Sequence, residues 1–188
     1  MSSDLSDAIE WFQKEAAVGV IPTDTVYGLA ALAKDKEAVK RLYSLKNRDN
    51  KPGTLIAANI EQLIDLGLKK RYLSAVDHYW PGAISVIIPC DNKLNYLHLG
   101  KFGIATRVPD NEKLRNLLIK VGPLLTSSAN RPGKIPATNI KMAQQYFRNQ
   151  VDFYIDGGDM NNNLPSTIIR VIDDVVEVIR QGAVRINS

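Results

Sequence analysis

The chain is poor in the residues from which disulfides and metal sites are made. Cys90 is the only cysteine in 188 residues, and His78 and His98 are the only histidines. A lone thiol excludes a disulfide framework within the chain and fits a reducing compartment. The three residues have no ligand spacing, which argues against a metal site built on protein side chains. Long apolar runs are also missing. None approaches the roughly 20 residues that a membrane-spanning helix needs, and the first residues, Met1-Ser2-Ser3-Asp4-Leu5-Ser6-Asp7, are acidic, unlike a secretory leader. These absences set the expectation of a cytoplasmic protein without membrane contact. There is no Gly-x-x-x-x-Gly-Lys-Ser/Thr loop and no Gly-x-Gly-x-x-Gly, so neither the P-loop nor the dinucleotide fingerprint applies. No Ser/His/Asp triad is marked, and no repeat or linker divides the chain. A single domain over 1–188 is the expectation, since domains run to roughly 100–200 residues.

What remains is an ordinary globular composition, 45% hydrophobic and 23% charged, with a mildly basic net charge of +4. That charge permits phosphate contact without demonstrating it. Helical and strand-like segments alternate. A first helix capped by Asp4 or Ser6 is expected to run to about Ala17, with Ile9, Phe12 and Ala16 on one face. Further helices are expected at 36–45, 60–66, 71–79, 111–121 and 140–147. Strands are expected at 18–21, 54–58, 83–88, 102–107, 123–126 and 153–155. Thr167–Ile172 and Val175–Ile179 read as a hairpin around Asp173-Asp174. This pattern predicts an α/β domain with a mixed, twisted sheet flanked by helices. The ligand crevice of such a sheet lies outside strand ends.

Short polar motifs sit where apolar runs begin or end. Pro22-Thr23-Asp24-Thr25-Val26-Tyr27-Gly28-Leu29 follows a strand that Pro22 stops; Thr25 offers a hydroxyl and Tyr27 a ring with a polar tip. A loop whose threonines bond their own backbone is the bland alternative. Lys46, Arg48 and Lys51 fall within six positions after a helix. They suit either the carbonyl end of that helix or a phosphate clamp, with Lys as point charge and Arg as planar fork. Ser127-Ser128-Ala129-Asn130 follows an apolar strand, where Ser128 and Asn130 either read a ligand or close a turn. Arg107 ends another apolar run. A buried guanidinium needs a carboxylate or phosphate, and an internal Asp or Glu is the simpler candidate. Ser166-Thr167 and Arg180-Gln181-Gly182 complete the set. Cations, hydroxyls and an amide at strand ends suit a polyanionic substrate such as a nucleotide.

Together these motifs resemble the YrdC-type family, the threonylcarbamoyl-AMP synthases. The resemblance runs from about Ile9 to Gly182 and includes Trp80-Pro81-Gly82, Thr106-Arg107-Val108-Pro109 and Ser166-Thr167-Ile168 beside the motifs above. It implies a YrdC-like mixed sheet around a basic cavity. It also implies condensation of L-threonine, bicarbonate or CO2 and ATP to threonylcarbamoyl-adenylate and pyrophosphate, for threonylcarbamoyl-adenosine in tRNA. Mg²⁺ is the implied cofactor, carried with ATP. The length resembles the short bacterial form, which works with the other proteins of the tRNA threonylcarbamoylation pathway; weak tRNA contact is an open expectation. By resemblance, Lys46 and Arg48 are catalytic, Arg48, Lys51, Ser128, Asn130 and Arg180 hold ATP, and Thr25, Tyr27, Arg107 and Ser166 hold threonine. The chain departs from the family at Asp49, where proline is usual. Its loop there is one residue shorter, which puts Lys51 nearest the place of the family's lysine.

The implied mechanism has no covalent enzyme intermediate: threonine's amine forms a carbamate, whose carboxylate then attacks the α-phosphorus. The protein contributes positioning and charge neutralisation. Two rivals stand beside it. One is a non-catalytic RNA-binding module, for which steep salt dependence is expected. The other is a carbamoyl-transfer maturation protein, although such proteins are larger and carry zinc-type cysteine motifs.

Overall fold

The computed structural model describes residues 3–47, 51–173 and 175–186. Among them nine strands form one mixed sheet: β1 (Val18–Pro22), β2 (Tyr27–Leu32), β3 (Thr54–Ile56), β4 (Ile84–Pro89), β5 (Gly103–Arg107), β6 (Leu124–Ser128), β7 (Phe153–Tyr154), β8 (Thr167–Ile172) and β9 (Val175–Arg180). Their order across the sheet is β7-β1-β2-β6-β3-β5-β4-β8-β9. The pairs β1–β7, β3–β5 and β4–β8 are parallel, and the other five are antiparallel.

Seven α-helices flank it: α1 (Ala8–Phe12), α2 (Lys36–Leu45), α3 (Ile60–Leu66), α4 (Lys70–Ser74), α5 (Asn95–His98), α6 (Glu112–Val121) and α7 (Ile140–Phe147). Four of them start on an Asx side chain that accepts from a backbone N–H three residues on. Asp35 caps α2, Asn59 α3, Asn111 α6 and Asn139 α7, at 2.9–3.0 Å. Asp35 also accepts from Ala16 N at 2.8 Å, which pins the turn before β1 to the start of α2.

Because side chains alternate across a strand, neighbouring residues serve different cores. Leu55, Leu125, Ile104 and Ile169 join Leu42 of α2, Leu97 of α5 and Phe147 of α7 on one face. Ile56, Leu124 and Ala30 join Phe12 of α1 and Leu114 and Leu118 of α6 on the other. The second pair of helices covers only the half of its face nearest β1, β2, β6 and β3. Beyond them Ala105, Ile87 and Ile168 face outward, half-buried, and this uncovered area of sheet is where the site forms.

Several elements differ from the sequence reading: the helix expected at 71–79 ends at Ser74, the strand expected at 54–58 ends at Ile56, and α5 was not expected. α1 stops at Phe12 rather than near Ala17, and Ala16 takes a left-handed backbone (φ 54°) that turns the chain into β1. β2 is a full strand in a segment read as a polar motif. Its Tyr27-Gly28-Leu29-Ala30-Ala31-Leu32 is low in β-branched residues, yet lies fully enclosed between β1 and β6. The terminal hairpin, α2, α3 and α7 stand at the bounds the sequence suggested or within one residue of them.

Candidate active site

The cleft lies across the ends of β2, β3, β5, β6 and β8, with β9 at its edge. Thr25, Arg107, Ser128, Ser166 and Arg180 line it, together with Thr23, Gly28, Gly53, Thr126 and Ser127. Its walls are hydroxyls and guanidinium groups. The volume is about 110 Å³, and it continues through Pro52, Gly53, Ala105 and Ile168 into a more apolar groove of about 600 Å³.

An ion pair lies beneath the cleft, of which Arg107 reaches the lining. Arg107, at the end of β5, donates through Nη1 to Asp24 Oδ1, and the two side chains are only 3% and 6% exposed. Nη2 donates to Thr25 Oγ1 at 3.3 Å. Thr23 Oγ1 donates to Val26 O at 2.7 Å and accepts from the backbone N–H groups of Thr25 and Val26, each at 3.2 Å. With that proton committed, Thr25 is the donor in the 3.1 Å contact between the two threonine hydroxyls. A directed chain therefore runs from Arg107 through Thr25 and Thr23 to Val26 O, and it holds the loop between β1 and β2 in one shape. Three buried polar atoms here have no hydrogen-bond partner: Arg107 Nε, Asp24 Oδ2 and Ser127 Oγ. Buried polar atoms are rarely left unmatched, because each then keeps its full desolvation cost.

A second construction stands behind Ser128. Lys46 follows α2 as its C-cap and is 3% exposed. Its Nζ donates to Ser128 O (2.9 Å), Asn130 O (2.6 Å) and Asn130 Oδ1 (2.7 Å). Ser128 Oγ donates to the same Asn130 Oδ1 at 2.7 Å, and Asn130 Nδ2 donates to Lys134 O at 2.6 Å. This ties the exit of β6 to the end of α2. Neither Lys46 nor Asn130 is among the residues that line the cleft; both bear on Ser128 from behind it.

The third wall is β8 and β9. Arg180 Nη2 donates to Ser166 O at 2.7 Å, and Ser166 Oγ shares a 2.9 Å hydrogen bond with Ser85 Oγ. Gly182 lies against the backbone of Pro165 and Ser166, where a Cβ would have no room. The glycine of Arg180-Gln181-Gly182 is thus what lets Arg180 close on Ser166.

Tyr27 stands apart from the cleft lining. It is fully buried. Its hydroxyl donates to Gly158 O (2.9 Å) and accepts from Gly157 N (2.7 Å). Burial pushes it up to about 12, with the Gly157 N–H acting the other way. Pro22 ends the neighbouring strand and turns the motif, while Tyr27 faces the loop after β7. Lys51 is exposed and outside the lining, although Pro52 and Gly53 belong to it. Arg48 lies outside the described residues. Asp24, Thr23, Thr126 and Ser127 were missed as site residues. The signal for Asp24 was available: a buried Arg107 demands a carboxylate, and the Thr-Asp-Thr motif holds one.

The fold and cleft define an α/β protein with a concave, uncovered sheet face and a floor suited to a small charged ligand. Comparison with known proteins gives the family. The Sua5/YciO/YrdC family model, described as telomere recombination, matches residues 12–182, and the chain belongs to that family. It is 34% identical to the threonylcarbamoyl-AMP synthase of Pseudomonas syringae, with 90% of this chain and 92% of the relative covered. It is 32% identical to the Bacillus subtilis threonylcarbamoyl-AMP synthase over 91% of the chain, but spans only about half (51%) of that relative. Among solved structures, Sua5 of P. abyssi complexed with L-threonine is similar at TM-score 0.81 and 28% identity, over 94% of this chain and 53% of that one. YciO of E. coli is similar at TM-score 0.78 and 26% identity, over 94% and 87%.

Proposed function

We propose that this protein is a threonylcarbamoyl-AMP synthase, a nucleotidyltransferase that joins L-threonine, bicarbonate or CO2 and ATP and releases pyrophosphate. The observation that carries the reading is the buried Arg107 with a spare Nε–H under a hydroxyl-lined cleft. A Sua5 relative of the same fold has been solved with L-threonine. The cleft suits the carboxylate and hydroxyl of a small amino acid, with Arg107 for the former and Thr25 and Ser166 beside it. Arg180 and Ser128 face the space where the nucleotide's phosphates would lie, and Lys46 and Asn130 fix Ser128 from behind. Arg48 and Lys51 stay in the proposal as phosphate ligands on the strength of the family motif.

In the reaction the neutral amine of threonine forms a bond to the carbon of CO2 and gives up one proton to solvent. One oxygen of the resulting carbamate then attacks the α-phosphorus, and the bond to pyrophosphate breaks. The chain's residues contribute position and fixed positive charge, which need no rearrangement as charge moves onto the leaving pyrophosphate. Mg²⁺ is proposed as the companion of the triphosphate, where it would neutralise phosphate charge. A cleft whose polar lining is hydroxyls and guanidinium groups does not fit a divalent ion as resident ligand set. The product would serve the threonylcarbamoyl modification of tRNA together with the other proteins of that pathway.

The test is pyrophosphate release on mixing the protein with ATP, threonine and bicarbonate in the absence of RNA. Release that needs all three substrates supports the reading. Absence of release, with RNA binding that falls steeply as salt rises, would replace it with the RNA-binding alternative.

A further inference from the structure

Seven hydroxyl groups line the cleft, and their protons are not disposed alike. Four are already given to the protein. Thr23 donates to Val26 O and Thr25 to Thr23 Oγ1; Thr126 donates to Thr54 O at 2.9 Å, and Ser128 to Asn130 Oδ1 at 2.7 Å. Each of these four can offer a ligand only a lone pair. The hydroxyls of Thr54 and Ser127 have no partner among the described residues, so no neighbour fixes which way their protons turn. Ser166 is the seventh. Its Oγ accepts from Ser85 Oγ at 2.9 Å and from Arg180 Nη2 at 3.4 Å, which takes up both lone pairs. Its own proton goes to no described residue, so this hydroxyl is set as a donor toward the cleft. Ser85 decides that polarity. It is 0% exposed, does not line the cleft, and lies on β4 between β5, which ends in Arg107, and β8, which Ser166 precedes. Ser166 Oγ is its one side-chain partner among the described residues. A buried hydroxyl proton without an acceptor keeps its full desolvation cost. The Ser85 proton is therefore held on Ser166, and Ser166 cannot turn its own proton back.

We infer that Ser85 is a positioning residue: through Ser166 it presents a fixed hydrogen-bond donor to an anionic oxygen of the ligand. The inference rests on the synthase reading above and deepens it. A carboxylate or phosphate oxygen accepts and cannot donate, so it needs a neighbour whose proton is forced outward. The four committed hydroxyls cannot serve it. Ser166 can, because Ser85 and Arg180 occupy its lone pairs. A donor whose direction is set before the ligand arrives loses less freedom on binding, and its bond to a charged acceptor is stronger than one between neutral groups. Ser85 thus raises affinity without touching the ligand.

The experiment is a double-mutant cycle at positions 85 and 166 of the full chain, read by calorimetric titration with L-threonine and, separately, with ATP and Mg²⁺. Ser166→Ala is expected to weaken at least one of the two ligands by about tenfold, and that ligand supplies the oxygen, threonine from its carboxylate or ATP from a phosphate. Ser85→Ala is expected to weaken the same ligand by about three- to tenfold when Ser166 is present, and by less than about 1.5-fold in the Ser166→Ala background. A loss of equal size in both backgrounds would overturn the inference, since Ser85 would then act by shaping the sheet. So would a Ser85→Ala or a Ser166→Ala protein that binds both ligands within about 1.5-fold of wild type. Should Ser85→Ala not fold, Ser85→Cys keeps a group of similar size whose S–H is a weaker donor. A loss of about two- to threefold, again confined to the chain that retains Ser166, is expected of it, and a loss that persists without Ser166 would count against the inference equally. Wild type that binds neither ligand would remove the synthase reading together with the inference, whereas binding with no dependence on Ser166 would remove the inference alone.

Discussion

Two buried cations frame this cleft, and they are built differently. Lys46 is surrounded by neutral oxygens of the β6 exit, and three of them match the three N–H bonds of an ammonium. Arg107 faces a carboxylate and a threonine hydroxyl, and keeps one N–H unmatched. Lys46 is bound up in shaping a loop, whereas Arg107 has been left with something to give. Both are 3% exposed, so burial alone does not distinguish the two cations; the tally of hydrogen bonds does. The same tally separates Ser128, whose hydroxyl is bonded to Asn130, from Ser127, whose hydroxyl is not.

Substitutions can break or sharpen this contrast. The largest effect is expected at Arg107. Arg107→Ala removes the cation and strands a buried Asp24, which should cost about 3–5 kcal/mol in denaturant unfolding. Pyrophosphate release should fall by at least about 100-fold in whatever protein stays folded. Lys46→Met comes next. It removes one donor from three acceptors, of which Asn130 Oδ1 keeps Ser128 Oγ and Ser128 O keeps Asn130 N, at an expected cost of about 1–3 kcal/mol. Steady-state kinetics should show KM for ATP rising more than KM for threonine, because Ser128 is what moves. If KM for threonine rose equally, the two cations would not be separable in the way the structure suggests.

Tyr27→Phe is the third. Loss of a hydroxyl that both donates and accepts should cost about 1–1.5 kcal/mol, with KM for threonine within about twofold of wild type because the side chain is outside the cleft. Its pH dependence has a sign. The folded hydroxyl is pushed up to about 12 from an ordinary 10. Its contribution to stability is therefore whole below pH 10 and is lost as pH climbs toward 12. Wild type should lose stability faster than Tyr27→Phe across that window in parallel unfolding curves. Smallest is Ser127→Ala. Removing an unmatched hydroxyl should leave stability within about 0.5 kcal/mol or raise it slightly. A clear loss of stability would show that Ser127 is tied into the fold after all.

Much of the fold was readable because its signals are local. α2 has an Asx cap and an amphipathic stripe, α7 likewise, and the β8–β9 hairpin is two β-branched runs around Asp173-Asp174. β2 was not readable because nothing local makes Gly28-Leu29-Ala30-Ala31 a strand; it is held by partners on both sides, β1 and β6, the latter about a hundred residues further along the chain. The site divides in the same way. Residue types and order pointed to a cluster, and Thr25, Arg107, Ser128, Ser166 and Arg180 do line one cleft. Which of them face the ligand and which brace it from behind depends on side-chain direction across long sequence separations. Lys46 and Asn130 are 84 positions apart and form one latch. Tyr27 sits two residues after Thr25, yet its ring turns to Gly157 and Gly158.

The order of strands in the sheet carries a consequence for the protein's birth. β1 is the first of the described strands to be synthesised, yet it is flanked on its outer side by β7, and the far wall of the cleft beside Thr25 includes Ser166, just before β8, and Arg180 at the end of β9. A nascent chain that stops before Ser166 would hold Arg107 and Thr25 but not the wall opposite them. The growing polypeptide should therefore stay inert on the ribosome and gain its ligand affinity all at once, when β8 and β9 have left the exit tunnel.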